Sequence, residues 1–280
     1  MPKIQQLPSH LVNQIAAGEV VERPASVIKE LIENSLDAGA SSIQVEIESG
    51  GMKLIRIVDN GCGISQDELA MALSRHATSK IHSLDDLEAI GSLGFRGEAL
   101  PSIASVSHLS ISSAVEDAEH GWKVDARSES VPEPVTQQQA GTSIEVRDLF
   151  YNVPARKKFL RTERTEFVHI ETLFKTLALS RPQVALRLLH NRKTIYQLPA
   201  AATDSENQQR LAQICGSEFA SSVVAIDLAV EGLSLRGWVG LPTFSRSQAD
   251  MQYFFVNRRM IRDKVVSHAV RQAYKDVLFH

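Results

Sequence analysis

Residues 24–47 read PASVIKELIENSLDAGASSIQVEI, a stretch that opens like a helix and closes like a strand. Pro24 suits a first helical turn, where its missing N–H would have no partner in any case. Gly39 suits a helix end. At roughly 100° per residue on a helical wheel, Val27, Ile28, Leu31, Ile32, Ser35 and Ala38 form one stripe. Glu30, Asn34 and Asp37 gather on a narrow flank beside that stripe. Glu30 and Asn34 are i,i+4 neighbours, so both can point at one object. A solvated edge of an ordinary amphipathic helix would give the same flank, and this stretch alone leaves both readings open. Beyond it, SIQVEIES and KLIRIVDN alternate apolar and polar residues around Gly50-Gly51, which predicts a β-hairpin.

The rest of the chain narrows the choice. The 280 residues are 43% hydrophobic and 22% charged, a composition that supports a real core and predicts two domains. The net charge of -3 excludes a general polycation, so any contact with nucleic acid must come from local patches. Cys62 and Cys215 are the only cysteines and form neither a disulfide framework nor metal-ligand spacing. No apolar signal core opens the sequence. No run approaches the roughly 18 apolar residues of a membrane span, so the sequence reads as a cytoplasmic protein.

Further elements follow from local pattern. SQDELAMALSRHAT predicts a helix capped by Ser65, with Glu68 three residues on. GEALPSIASVS predicts another helix, and HLSISSAV, GWKVDAR and TSIEVRDLF predict strands. Residues 128–140, rich in Ser, Pro, Glu and Gln, predict an exposed loop. TEFVHIETLFKTLALSRP predicts a helix capped by Thr165 and ended by proline. VALRLLHN and KTIYQLP predict a hairpin, and 200–207 (AATDSENQ) is the linker candidate. After it come a helix over 208–215, strands near 222–230, 233–240 and 252–257, and a helix over 263–278. The architecture is α+β in two unequal parts, mostly antiparallel in the first.

Seven of the fifteen glycines fall between 50 and 97, in two groups that bear on chemistry. VDNGCGI places Asp59 at the end of an apolar strand before a Gly-x-Gly turn, where a carboxylate can accept from a ligand amine. An Asp-Asn turn leaving a hairpin would look the same. GSLGFRGEAL places Gly91, Gly94 and Gly97 before a helix, and bare N–H groups there favour phosphate. Neither a Rossmann fingerprint nor a Walker loop occurs.

Taken together, E-x-x-x-N on a helix, D-x-G-x-G after a strand and G-x-x-G-x-G-E-x-L resemble the Bergerat ATPase superfamily. That group holds gyrase-type topoisomerases, heat-shock chaperones, sensor histidine kinases and MutL mismatch-repair proteins. IAAGEVVERPASVIKELIENSLDAGA, DNGCGI, RHATSKI and GFRGEALPSIASVS resemble the bacterial MutL family in particular. The resemblance runs from residue 4 through LFYNVPARKKFLRTERTEF to YFFVNRRMIRDKVVSHAVRQA, nearly the whole chain.

The resemblance implies a Bergerat-type sandwich of helices on a mixed, mostly antiparallel sheet over residues 1–203. A second, smaller α+β domain, similar to a ribosomal-protein-like transducer domain and C-terminally incomplete, would occupy 204–280. It implies that Glu30 is the general base and that Asn34 holds Mg²⁺. Asp59 would read adenine, with Gly61 and Gly63 letting the chain pass close to the base. Thr78, Ser79 and Lys80 would belong to a mobile lid, and Gly94, Phe95, Arg96 and Gly97 to the turn around the phosphates. Thr142 would also touch the nucleotide, and Asp37 would either support the site or join it.

ATP and Mg²⁺ are the implied ligands. DNA, a MutS-type mismatch-recognition protein, a downstream nuclease and helicase, and a second copy joined by ATP are the implied partners. RKKFLRTER and NRRMIRDK are basic clusters, and the resemblance points to Arg262 and Lys264 as DNA contacts. The family carries a γ-phosphate lysine near the end of its second domain. The sequence ends before that motif, so the resemblance implies weak hydrolysis by these residues. A sensor kinase and an ATP-binding scaffold without turnover are the alternatives.

Overall fold

A computed structural model describes residues 17–18, 20–80, 97–127, 131–136, 139–244 and 251–275. The chain divides into two units. One comprises Met1–Phe174 with Val184–Gln197, and the other Lys175–Gln183 with Leu198–His280.

The first unit is built on the opening stretch. Helix α1 spans Pro24–Asp37, with proline in its first turn and its end at Ala38–Gly39. Its buried face is Val27, Ile28, Leu31 and Ile32, joined by Ser35. Strands β1 (Ser42–Glu48) and β2 (Leu54–Asp59) form the expected antiparallel hairpin, with a 3₁₀ turn over Ser49–Gly51. Ile43, Val45 and Ile47 are buried while Gln44, Glu46 and Glu48 are half-buried, the period-2 pattern of a strand with one face on a core. Helix α1 lies against this pair.

The sheet widens to eight strands. The others are β3 (His108–Ala114), β4 (Gly121–Asp125), β5 (Glu133–Val135), β6 (Gly141–Arg147), β7 (Ala185–His190) and β8 (Lys193–Leu198). Their order is β5-β4-β3-β6-β2-β1-β7-β8. The β1–β7 pairing is parallel, and every pairing from β1 through to β5 is antiparallel. The fold is therefore α+β with a mixed, mostly antiparallel sheet, as expected. Ile55, Ile57, Leu109, Ile111, Ile144, Val146, Leu186 and Leu188 extend the buried face. The other face carries polar cross-strand contacts such as Arg56–Glu46 and Arg187–Gln44.

Several local expectations shift. Beyond Ser65 the chain forms only a four-residue helix, α2 (Gln66–Leu69), and a 3₁₀ turn over Met71–Leu73. Leu69 alone is buried in α2, too little apolar surface to sustain a longer helix. The Ser65 hydroxyl donates to the Glu68 carboxylate at 2.8 Å instead of capping the backbone. Helix α3 (Ala99–Ser105) follows, then α4 (Pro154–Phe159) and α5 (Glu163–Ser180). The α5 cap falls at Thr162 rather than Thr165, because Thr162 Oγ1 accepts the Thr165 N–H at 3.3 Å. The segment expected as loop contains β5, an edge strand with Pro134 in it, where a missing donor costs least.

In the second unit, 200–207 is not bare linker. Helix α6 (Asp204–Cys215) begins inside it on a complete Thr203–Glu206 capping box. Short α7 (Ser217–Ser221), the β9–β10 ribbon (Val223–Val230, Leu233–Gly240), the β11–β12 pair (Phe254–Val256, Arg259–Ile261) and α8 (Lys264–Tyr274) complete it. Arg210 is buried, and that burial lowers its pKa to about 10. Its guanidinium is satisfied by the carbonyls of Ala178, Arg181, Leu198 and Pro199. Among the described residues, no helix is long and apolar enough to cross a membrane.

Candidate functional site

Asp59 ends β2, opposite Thr142 of β6 in the ladder. One carboxylate oxygen accepts the backbone N–H groups of Gly61 at 2.9 Å and Thr142 at 3.3 Å. The other accepts the Ser35 hydroxyl at 2.6 Å. Ser35 lies in the buried face of α1 and is only 3% exposed. Its neighbourhood was read from the sequence as part of an apolar stripe, yet its hydroxyl orients the carboxylate. Thr142 and Ser113 share a buried hydroxyl–hydroxyl contact of 2.9 Å, and Ser113 also accepts the Ile64 N–H. A carboxylate has about four acceptor positions. Three are taken here, which leaves room for a donor from outside.

The D-x-G-x-G turn is held tightly against its surroundings. Cys62 N–H donates to the Ala38 carbonyl at the end of α1. Gly63 adopts φ +76°, and a Cβ there would lie 2.0 Å from the Ala114 carbonyl oxygen. Only glycine meets both conditions.

A second polar group occupies the flank of the same helix. Lys80 Nζ lies 2.8 Å from Asn34 Oδ1 and 2.6 Å from Asp37 Oδ2. Glu30, expected to share an object with Asn34, instead stands 3.6 Å from Lys29, which is 3.4 Å from Glu33. Glu33, a residue without a role in the sequence pattern, lies on this flank too, three residues from Glu30. Its carboxyl is held above the usual range by burial, opposed by Lys29 and reinforced by Glu30 and Asp37. No cluster of three or more His, Cys, Asp or Glu side chains among the described residues could hold a metal by itself. Asn34 and Asp37 nevertheless already present oxygens to a cation, the Lys80 ammonium. That donor set suits a hard ion that keeps several waters.

The segment bearing Lys80 is packed at its base. Lys80 N–H donates to Thr78 Oγ1 at 3.2 Å. His76 lies 3.5 Å from Glu98, and a Cβ at Gly97 (φ +61°) would fall 2.6 Å from the Ala77 carbonyl oxygen. The structure thus joins 76–80, Gly97 and the flank of α1. Gly94, Phe95 and Arg96 lie outside the described residues, and Ser79 is exposed. Arg262 and Lys264 are exposed in the second unit, on either side of Asp263, which caps α8. Of the other basic cluster, Arg156 lies over the Phe150 ring while Lys157 and Lys158 are exposed.

Comparison with known proteins identifies relatives of the chain. Residues 22–149 match the family model for histidine kinase-, DNA gyrase B- and HSP90-like ATPases. Residues 211–280 match the model for the C-terminal domain of DNA mismatch repair proteins. The chain is 57% identical to the DNA mismatch repair protein MutL of Cellvibrio japonicus, over 100% of this chain and 45% of that protein. It is 57% identical to the MutL of Pseudomonas fluorescens, over 99% of this chain and 44% of that one. The chain therefore spans under half the length of these curated relatives. Among solved structures, the MutL ATPase domain of Aquifex aeolicus complexed with ADP is 30% identical with a TM-score of 0.67, covering 90% of this chain and 88% of that one.

Proposed function

The chain belongs to the MutL family of DNA mismatch-repair proteins, and on that premise we propose that its first unit binds and hydrolyses ATP as the switch of a mismatch-repair protein. The observation that supports this most is the Asp59 carboxylate, fixed by Ser35, Gly61 and Thr142 with one acceptor position to spare. An adenine amine is the donor that fits it. The ADP complex of the Aquifex relative supports nucleotide binding by this unit.

Roles follow for the neighbouring residues. Glu30 takes the proton of the attacking water, which needs a carboxylate within reach of that water directly or through one more. Asn34 would hold Mg²⁺, with Asp37 supporting it. The ion, when bound, neutralises charge on the triphosphate. Gly61 and Gly63 keep the chain low beside the base. Thr142 supports Asp59 through its N–H, and Thr78, Ser79, Lys80 and the turn from Gly94 through Phe95 and Arg96 to Gly97 serve the phosphates. Water attacks the terminal phosphorus, the bond to the β–γ bridging oxygen breaks, Glu30 receives the water's proton, and ADP and phosphate result.

For the whole protein we assign residues 1–203 to the ATPase domain and 204–280 to a second α+β domain. ATP joins two copies, and hydrolysis releases them. The cycle links a MutS-type mismatch-recognition protein to a downstream nuclease and helicase in the cytoplasm. Arg262 and Lys264 contact DNA phosphates, an interaction sensitive to salt and indifferent to sequence.

The test is nucleotide titration of the wild-type chain and of Asp59→Ala. Loss of one hydrogen bond to a charged group costs roughly 1.5–3 kcal/mol, so affinity should fall at least about tenfold. Unchanged affinity would remove Asp59 as the adenine reader. Phosphate release with Mg²⁺ present separates an ATPase from a scaffold that only binds.

A further inference from the structure

The contact between Lys80 and α1 carries a consequence for how the proposed nucleotide site opens, and it rests on that functional reading. Three carboxylates, Glu30, Glu33 and Asp37, crowd two turns of α1. Lys29 stands between the first two, and Lys80 answers the third at 2.6 Å. The Lys80–Asp37 pair is sheltered, its side chains 22% and 11% exposed. The chain's own cations therefore offset part of that charge before any ligand arrives.

The oxygen that Lys80 occupies is Asn34 Oδ1, at 2.8 Å. This is the atom assigned to Mg²⁺ above. Mg²⁺ binds oxygen at about 2.0–2.1 Å and demands octahedral geometry. An ammonium on the same amide oxygen would intrude into that shell and repel the ion. The two cations are mutually exclusive.

We propose that Lys80 is a tethered stand-in for the divalent cation: its ammonium holds the metal position closed in the nucleotide-free chain, and arrival of the metal with nucleotide ejects it. The base of the segment need not move. Ala77 is seated on Gly97 and His76 faces Glu98, so the segment is anchored on the N-terminal side of Thr78. The ejected ammonium is a flexible point charge with three donors, suited to a phosphate. Asp37 exchanges the ammonium for donors from the metal's water shell. One event thus loads the metal and delivers Lys80 to the triphosphate side of the site.

The experiment uses Mn²⁺ as the probe, with free ion counted by electron paramagnetic resonance in nucleotide-free samples of the wild-type chain, K80Q and K80R. Removing the ammonium that must otherwise be displaced, worth about one charge-assisted hydrogen bond, should tighten Mn²⁺ binding about tenfold in K80Q. K80R keeps the charge and should stay near wild type. ADP affinity with chelator present is measured on the same samples. A wild-type chain that binds ADP while K80Q gains no Mn²⁺ affinity overturns the stand-in role alone. A wild-type chain that binds no ADP overturns the nucleotide reading and the stand-in role with it.

Discussion

Two polar clusters share the C-terminal half of helix α1, and the chain holds them by different means. Asp59 is gripped by two backbone N–H groups and a buried serine hydroxyl. Asn34 and Asp37 meet the end of a lysine side chain. A backbone amide in a sheet cannot withdraw without unpairing its strand. An ammonium on four methylenes can. The first cluster is thus preorganised for a ligand whose shape does not change during turnover, such as a nucleobase. The second is suited to exchange, which metal and phosphates require as they arrive, react and leave.

The largest expected effect tests the division of labour between the clusters. If the flank of α1 serves chemistry while the Asp59 cluster serves binding, Glu30→Ala should bind ATP almost normally. Its turnover should fall on the order of 10²-fold or more, the contribution of a positioned base. Single-turnover hydrolysis and nucleotide titration on one preparation separate these quantities. A collapse of affinity with turnover of the bound fraction preserved would break the comparison, because Glu30 would then be a binding residue.

A smaller effect sharpens the claim that the Asp59 cluster is fixed. Ser35→Ala removes the one side-chain donor found on that carboxylate among the described residues and leaves both backbone donors in place. A hydrogen bond of this kind is worth about 1–2 kcal/mol, so ADP affinity should weaken roughly five- to thirtyfold. Turnover of the bound fraction should be unchanged. If Ser35→Ala lowered the turnover of bound ATP and left ADP affinity intact, the serine would be serving the other cluster.

The same contrast explains what could be read in advance. The β1–β2 hairpin, the limits of α1 and its buried face were legible because they depend on period and on two punctuating residues, Pro24 and Gly39. The flank was legible as a flank. Its occupant was not. The helical wheel gives a direction and no partner, and Lys80 lies 46 residues from Asn34. Ser35 was misplaced for a related reason. Its direction was right, but its partner, Asp59, is set by how the hairpin docks on the helix 24 residues later. Glu33 was there to be found, since i+3 from Glu30 falls on the same side. Helix α2 was overestimated because a capping signature says where a helix starts and not what surface it has to bury. Strand β5 was hidden because Pro134 and its polar neighbours favour loops, and only the free edge of β4 recruits them.

The smallest expected effect concerns charge crowding on the exchangeable flank. Burial raises the Glu33 carboxyl above its ordinary value of 4.5, with Lys29 acting against that rise and Glu30 and Asp37 adding to it. A carboxyl shifted upward by folding favours the folded state most when protonated. That contribution is present below the unfolded value and is lost as pH rises through the folded one. Once ionised, Glu33 therefore works against the fold, and Lys29 moderates the cost. Glu33→Gln keeps the shape and cannot ionise. It should raise the melting temperature near pH 7 by about 1–3 °C. The gain should shrink as pH falls toward and below the ordinary carboxylate range, where wild-type Glu33 is itself neutral. Thermal unfolding of both proteins across pH 4–8 measures the difference. A gain independent of pH would mean that glutamine packs better and that charge crowding is not the cause. A loss at neutral pH would mean that the Lys29 pairing outweighs the burial of Glu33. The flank would then be a stabilised ion network, not a set of carboxylates waiting for a stronger cation.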